Sequence, residues 1–147
     1  MNKKFVPVLF IDRDGVINHM VSSKSEGFDS PQRADDVRLV EGIMDVITWL
    51  NERRIPVIEI TNQPGYAKGK MDMMTLESIE KRVHELLERS GAKIDHVYRC
   101  LHHPRGVVTE LTMECNCRKP KPGLFLQAAK ELGIDLSSSV MLGDNAS

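Results

Sequence analysis

"VLFIDRDGVIN", residues 8–18, sets two aspartates, Asp12 and Asp14, one residue apart where an apolar run gives way to a glycine. The stretch from Val6 to Asp12 is rich in branched residues and reads as a buried strand. Two carboxylates at that spacing repel, and burying either is costly unless something compensates. A bound cation, or a reaction that uses both carboxylates, would explain them. An aspartate-rich turn at a strand end is the plainer alternative.

Working outward, the same pattern recurs. "IPVIEIT" (55–61) reads as a second strand and ends at "NQPG"; "KIDHVYRC" (93–100) and "SSVMLGD" (138–144) read as a third and a fourth. Helical periodicity falls between them. Ile43, Val46, Ile47 and Leu50 share a face within 40–54, with Trp49 expected in the core beside them. Met73, Leu76, Ile79, Val83, Leu86 and Leu87 form a stripe within 72–91, closed by Gly91. A third helix over 121–133 has Pro122 near its start, Gly133 at its end and Phe125 expected in the core. Residues 18–36 and 101–118 read as long loops. Strands alternating with helices predict an α/β fold, a doubly wound parallel sheet. In such sheets ligands gather at the carboxyl ends of strands. Asp12, Thr61, Cys100 and Asp144 all stand at predicted strand ends.

Composition narrows the function. The chain has 147 residues, a length that suits one domain with its own core. A net charge of −1 and 5% aromatic residues argue against a nucleic-acid partner, which calls for a basic footprint or stacking platforms. No apolar run approaches the length of a membrane span, and the N-terminal apolar stretch runs into acidic residues without a cleavage site. The expectation is a cytoplasmic protein, a monomer, with neither membrane nor nucleic acid as partner.

All three cysteines, Cys100, Cys115 and Cys117, lie near His102. An odd number of thiols is a poor disulfide framework and suits a reducing compartment. Three thiolates and an imidazole make a closed tetrahedral zinc set. His103 is an alternative ligand to His102. Buried free thiols beside a surface histidine are the alternative to a metal.

"DRDGVIN", "ITNQ", "CRKPKPG" and "MLGD" stand in the order of the four motifs of haloacid dehalogenase-superfamily phosphatases, and together they span residues 8–144. Each motif alone is common; their order and their positions at element ends carry the resemblance. It implies that Asp12 is the nucleophile and Asp14 the general acid and base. It implies Mg²⁺ held by Asp12, Asp144 and the backbone carbonyl of Asp14. Thr61 and Asn62 would donate to phosphate, Lys119 would neutralise the transferring group, and Arg118 would grip the substrate.

"CLHHPRG" and "CNCRKPKPG" further resemble the zinc loop of D-glycero-D-manno-heptose 1,7-bisphosphate phosphatases, a loop shared by histidinol-phosphate phosphatases. "TNQPGYAKGK" is similar to the heptose branch. That branch implies removal of the 7-phosphate from a phosphorylated sugar, with no large cap domain. Lys68 and Arg105 become candidates for the distal phosphate, and His19 a candidate substrate contact. Lone histidines His84 and His96 read as structural.

Three features depart from that pattern. Residues 20–36 match the heptose loop poorly, and Asn145 stands where a lysine is common. The second aspartate of the superfamily's last motif would fall at position 148, and a last strand and helix normally follow, so the chain reads as truncated. Two rivals follow. A histidinol-phosphate phosphatase would need an acidic residue facing an amine, for which Glu26 and Asp29 are available. A non-catalytic, zinc-containing binding module derived from a phosphatase is the rival from another class.

Overall fold

A computed structural model describes residues 5–25 and 27–144 of the chain; Glu26 and Asn145, singled out above, lie outside them. Among the described residues six strands and three α-helices follow one another: β1 (Leu9–Ile11), β2 (Val21–Ser23), β3 (Gly27–Asp29), α1 (Ile43–Glu52), β4 (Val57–Asn62), α2 (Met73–Arg89), β5 (His96–Cys100), α3 (Gly123–Leu132) and β6 (Val140–Leu142). β5, β4, β1 and β6 form a parallel sheet in that order. This is the doubly wound α/β architecture expected from the alternation of strands and helices.

The alternation of side chains along the central strands builds two cores. Val57 on β4 and Ile11 on β1 face α1 and α2, where Ile43, Ile47, Leu50, Ile79, Val83 and Leu87 complete the cluster. Ile58, Ile60 and Phe10 face the other way, against Leu124 and Ala128 of α3. Phe125 joins this second cluster, its ring edge-on to Phe10 at 5.0 Å. A parallel sheet covered on both faces needs apolar residues at successive positions, and β4 is buried from Val57 through Thr61. Glu59, in the middle of that run, is the exception taken up below.

Local chemistry sets the helix ends. The Asp72 carboxylate accepts from the Thr75 N–H at 2.7 Å and caps α2. Gly133 closes α3 in the left-handed region, at φ 68°. Gly91 follows α2 with φ 80°.

Three expectations need correction. Trp49 is 51% exposed rather than buried, its ring covered on one face by the Arg53 guanidinium at 3.9 Å. Val46 is exposed as well, so the buried face of α1 is the narrower stripe of Ile43, Ile47 and Leu50. Within 18–36 the chain forms an antiparallel hairpin, β2 with β3, instead of a plain loop. The hairpin pairs only with itself and is anchored by Lys70, whose Nζ lies 2.7 Å from Asp29 Oδ2. Among the described residues no helix is long and apolar enough to cross a membrane.

Candidate active site

The parallel register brings two strand ends together. Ile11 stands beside Leu142, and the Asp12 N–H donates to the Leu142 carbonyl at 3.0 Å. Asp12 and the Gly143–Asp144 pair therefore leave the sheet side by side. The chain then turns at Gly15, φ 87°, closed by the Gly15 N–H on the Asn18 carbonyl at 2.7 Å. A cavity of about 670 Å³ opens there, lined by Asp12, Asp14, Asn62, Arg118, Lys119, Asp144 and parts of the hairpin.

Lys119 Nζ lies 2.9 Å from Asp12 Oδ1, and the Arg13 N–H donates to the same carboxylate at 2.8 Å. Burial pushes the Asp12 carboxyl above its ordinary range, against the pull of the Lys119 charge. Asn62 reaches Lys119 from β4. Its amide nitrogen donates to the Lys119 carbonyl at 3.1 Å and its oxygen accepts from the Lys119 N–H at 2.9 Å. Expected as a phosphate donor, the Asn62 side chain here clamps the main chain that carries Lys119. Arg118 lines the cavity, and its buried Nε has no hydrogen-bond partner among the described residues.

Asp14 is held by four hydrogen bonds. Arg13 Nε and Asn18 Nδ2 donate to Oδ1, each at 3.1 Å; Gln63 Nε2 at 2.9 Å and Arg13 Nη2 at 3.4 Å donate to Oδ2. Gln63 also donates to the Thr61 hydroxyl at 2.9 Å. Thr61 is buried at the end of β4 and does not line the cavity. Neither do Lys68 and Arg105, implied by the heptose-branch resemblance, nor His19, expected from its place after the Asp12 loop. Lys68 sits in a turn closed by its N–H on the Pro64 carbonyl. Arg105 is exposed, and its N–H donates to the His103 ring. His19 is exposed, and its N–H donates to the Arg38 carbonyl.

Sequence reasoning missed several residues that shape the site. Arg13, Asn18 and Gln63 were quoted within the motifs without a role. Met20 and Ser30 bring the hairpin into the cavity wall beside Asp29, the acid already considered for an amine-bearing substrate. For Arg13 the available signal was a cation between two acids; for the hairpin residues there was none.

The oxygen donors fit a hard cation. Asp12 and Asp144 present carboxylates to one cavity, and a Cβ on Gly15 would come within 2.0 Å of Asp144 Oδ2. Only a glycine leaves that carboxylate its place against the Asp14–Gly15 turn.

A second donor cluster lies just behind. Cys100 Sγ is 3.4 Å from Cys115 Sγ and 2.8 Å from Cys117 Sγ, and His102 Nδ1 is 3.2 Å from Cys117 Sγ. The four donor atoms lie within 4.8 Å of one another. Of the two adjacent histidines, His102 joins the thiols, while His103 accepts from the Arg105 N–H. The cluster binds the loop to β5 immediately before Arg118 and Lys119. The loop in turn packs on α3, where a Cβ on Gly123 would meet the Asn116 carbonyl at 2.2 Å.

Comparison with known proteins agrees with this geometry. The chain is 36% identical over 141 residues to D-glycero-beta-D-manno-heptose-1,7-bisphosphate 7-phosphatase of Escherichia coli O6:H1, a match covering 96% of this chain and 70% of that protein. The Yersinia pestis protein of the same name is 36% identical over 139 residues, covering 95% and 70%. Among solved structures, D,D-heptose 1,7-bisphosphate phosphatase from B. bronchiseptica, complexed with magnesium and phosphate, superposes with a TM-score of 0.80 at 29% identity, covering 95% of this chain and 71% of that one. The chain thus spans about 70% of the length of these curated relatives. The family of haloacid dehalogenase-like hydrolases matches residues 12–147. Motif order, strand-end geometry and this match together establish that the chain belongs to the haloacid dehalogenase-like hydrolases.

Proposed function

We propose that this protein is a phosphomonoesterase that removes the 7-phosphate of D-glycero-D-manno-heptose 1,7-bisphosphate through a phosphoaspartate on Asp12. The observation that carries the reading is the meeting of Asp12, Asp14, Lys119 and Asp144 on one open polar cavity. The identity with heptose bisphosphate phosphatases supports the substrate.

An Asp12 oxygen attacks phosphorus, and the bond from phosphorus to the sugar oxygen breaks. Asp14 gives its proton to the departing oxygen, then takes one from water as that water attacks phosphorus. The bond from phosphorus to Asp12 breaks, inorganic phosphate leaves, and both carboxylates return to their starting states. Lys119 holds positive charge beside the attacking oxygen, and Arg118 lines the cavity as a second cation for the substrate. Asp12, Asp144 and the Asp14 carbonyl would hold Mg²⁺, which supplies positive charge to the phosphoryl oxygens. The Cys100, His102, Cys115 and Cys117 set would hold Zn²⁺ with no open position, a structural role.

The histidinol reading needs a free carboxylate facing an amine. Asp29 lines the cavity but is paired with Lys70 at 2.7 Å, which favours the sugar substrate.

The test is phosphate release with Mg²⁺ from heptose 1,7-bisphosphate, fructose 1,6-bisphosphate, histidinol phosphate and an aryl phosphate, with Asp12→Asn as control. Turnover selective for the heptose ester and abolished in the control supports the reading. Selectivity for histidinol phosphate keeps the chemistry and changes the substrate. No turnover by folded, zinc-loaded protein overturns it in favour of a binding role.

A further inference from the structure

We propose that Glu80 and His84, on α2 and outside the cavity, are positioning residues for proton transfer by Asp14, acting through the buried guanidinium of Arg13. The inference rests on the phosphatase reading above.

Arg13 points away from the cavity that its neighbours line. It is 1% exposed, and its guanidinium addresses three partners. Nε and Nη2 fork onto the two Asp14 oxygens, Nη2 also donates to Gln63 Oε1 at 2.8 Å, and Nη1 donates to Glu80 Oε2 at 2.6 Å. Glu80 is fixed in turn. Its other oxygen lies 3.0 Å from His84 Nε2, one helical turn on. The same His84 nitrogen lies 3.3 Å from Glu59 Oε1, and Glu59 is fully buried on the central strand β4.

The chain of contacts therefore runs from β4 through His84 and Glu80 to Arg13, and from Arg13 to the Asp14 carboxylate. Glu59 is anchored on β4 and Glu80 and His84 on α2, while Arg13 lies in the turn that follows β1. A guanidinium is a planar fork, so its orientation dictates that of the carboxylate it holds. A carboxyl that must meet a leaving oxygen in the transition state gains rate from being fixed in this way. Gln63, held by Arg13 and donating to Asp14, fixes the carboxylate from a second side.

Glu59, Glu80 and His84 also resemble a cation site, since their donor atoms lie within 4.8 Å of one another. Arg13 argues against that use. Its charge sits on Glu80 at 2.6 Å, and an imidazolium at His84 bridges both carboxylates. Glu80 thus already has Arg13 and His84 as partners and Glu59 has His84, so a bound divalent ion is not needed to hold the group together.

Glu80→Gln and His84→Gln variants of the full chain test the inference. Each is checked for folding by thermal melting and for zinc content. kcat/KM is then measured with Mg²⁺ for phosphomonoesters whose leaving groups range from nitrophenol to a simple alcohol. Nitrophenolate departs without a proton, whereas an alkoxide needs one. The expected result is a loss of roughly tenfold or more on alkyl esters, part of the ~10²–10⁴ a general acid supplies, with nitrophenyl phosphate changed by less than about threefold. Glu80→Gln keeps an acceptor for Arg13 and carries the test should His84→Gln fail to fold. Equal losses across all leaving groups, or none, would overturn the inference while leaving the phosphatase reading intact. A wild-type chain that releases phosphate from no ester overturns the reading on which the inference rests.

Discussion

The ammonium of Lys119 lies 2.9 Å from Oδ1 of Asp12, so the proposed nucleophile and the cation that serves it form an ion pair inside the cavity. Replacing Lys119 with methionine keeps the stem and removes the charge. Phosphate release should fall by about 10²-fold or more, a loss typical of a missing transition-state donor. Melting should fall by several degrees, because the pair is largely shielded from water and the variant leaves the Asp12 carboxyl without its cation. Steady-state kinetics beside calorimetry checks both.

Asn62 predicts an indirect effect. Its amide makes two hydrogen bonds to the main chain of Lys119. Asn62→Ala removes both, for about 1 kcal/mol each, and should lower kcat about tenfold while leaving the Lys119 side chain in place. Asn62→Asp cannot donate to the Lys119 carbonyl and should do worse. The kcat values of the two variants, compared under saturating Mg²⁺, decide this.

Gly15 predicts a metal effect. At φ 87°, with a Cβ position 2.0 Å from Asp144 Oδ2, alanine is strained and displaces the carboxylate. Gly15→Ala should raise the Mg²⁺ concentration for half-maximal activity by at least about tenfold, with a stability cost near 1–2 kcal/mol. A Mg²⁺ titration of turnover measures the first, denaturant unfolding the second.

The buried cluster on β4 and α2 predicts an alkaline loss of stability. Hydrogen bonds that His84 donates to Glu59 and Glu80, opposed by burial, hold its pKa up to about 10. Burial pushes Glu59 to about 8, against the His84 hydrogen bond. Both values are raised above those of the unfolded chain. Each contribution is therefore complete below the unfolded pKa and lost as pH rises through the folded one. The unfolding free energy should decline between pH 7 and 10, by about 2 kcal/mol. His84→Gln should be less stable at pH 7 and show a flatter decline. Urea unfolding across that range is the check.

The thiol cluster predicts dependence on zinc. Stripping the metal with a strong chelator, or Cys115→Ser, should lower the melting temperature by roughly 10 °C and abolish phosphate release, since Arg118 and Lys119 follow directly from Cys117. Elemental analysis should find one zinc per chain before treatment.

Much of this was legible because it is local. Strand and helix periods survive in a single sequence, and the four motifs fall at element ends, where the architecture gathers ligands. The hairpin escaped notice because Val21–Ser23 and Gly27–Asp29 show no buried alternation. Trp49 misled because a guanidinium can cover an indole outside the core as an apolar neighbour does within it. The Arg13 network was illegible for another reason. Its partners lie 67 positions along at Glu80 and 50 along at Gln63, and no local pattern encodes such pairings. The local clues were Arg13 itself, a cation between two acids, and Glu59 inside "IPVIEIT", an acid in a run that should have been apolar throughout.

The hairpin has a further consequence. Among the described residues it shares no ladder with the four-stranded sheet, and the Lys70–Asp29 pair ties it to the body. Yet it supplies part of the cavity wall. The residues proposed to break the bond and this part of the cavity wall thus lie in separate segments of the chain. The hairpin can lengthen or shorten without disturbing the strand end that carries the proposed nucleophile. Lineages sharing this scaffold can diversify in what they accept while the reaction itself stays constant.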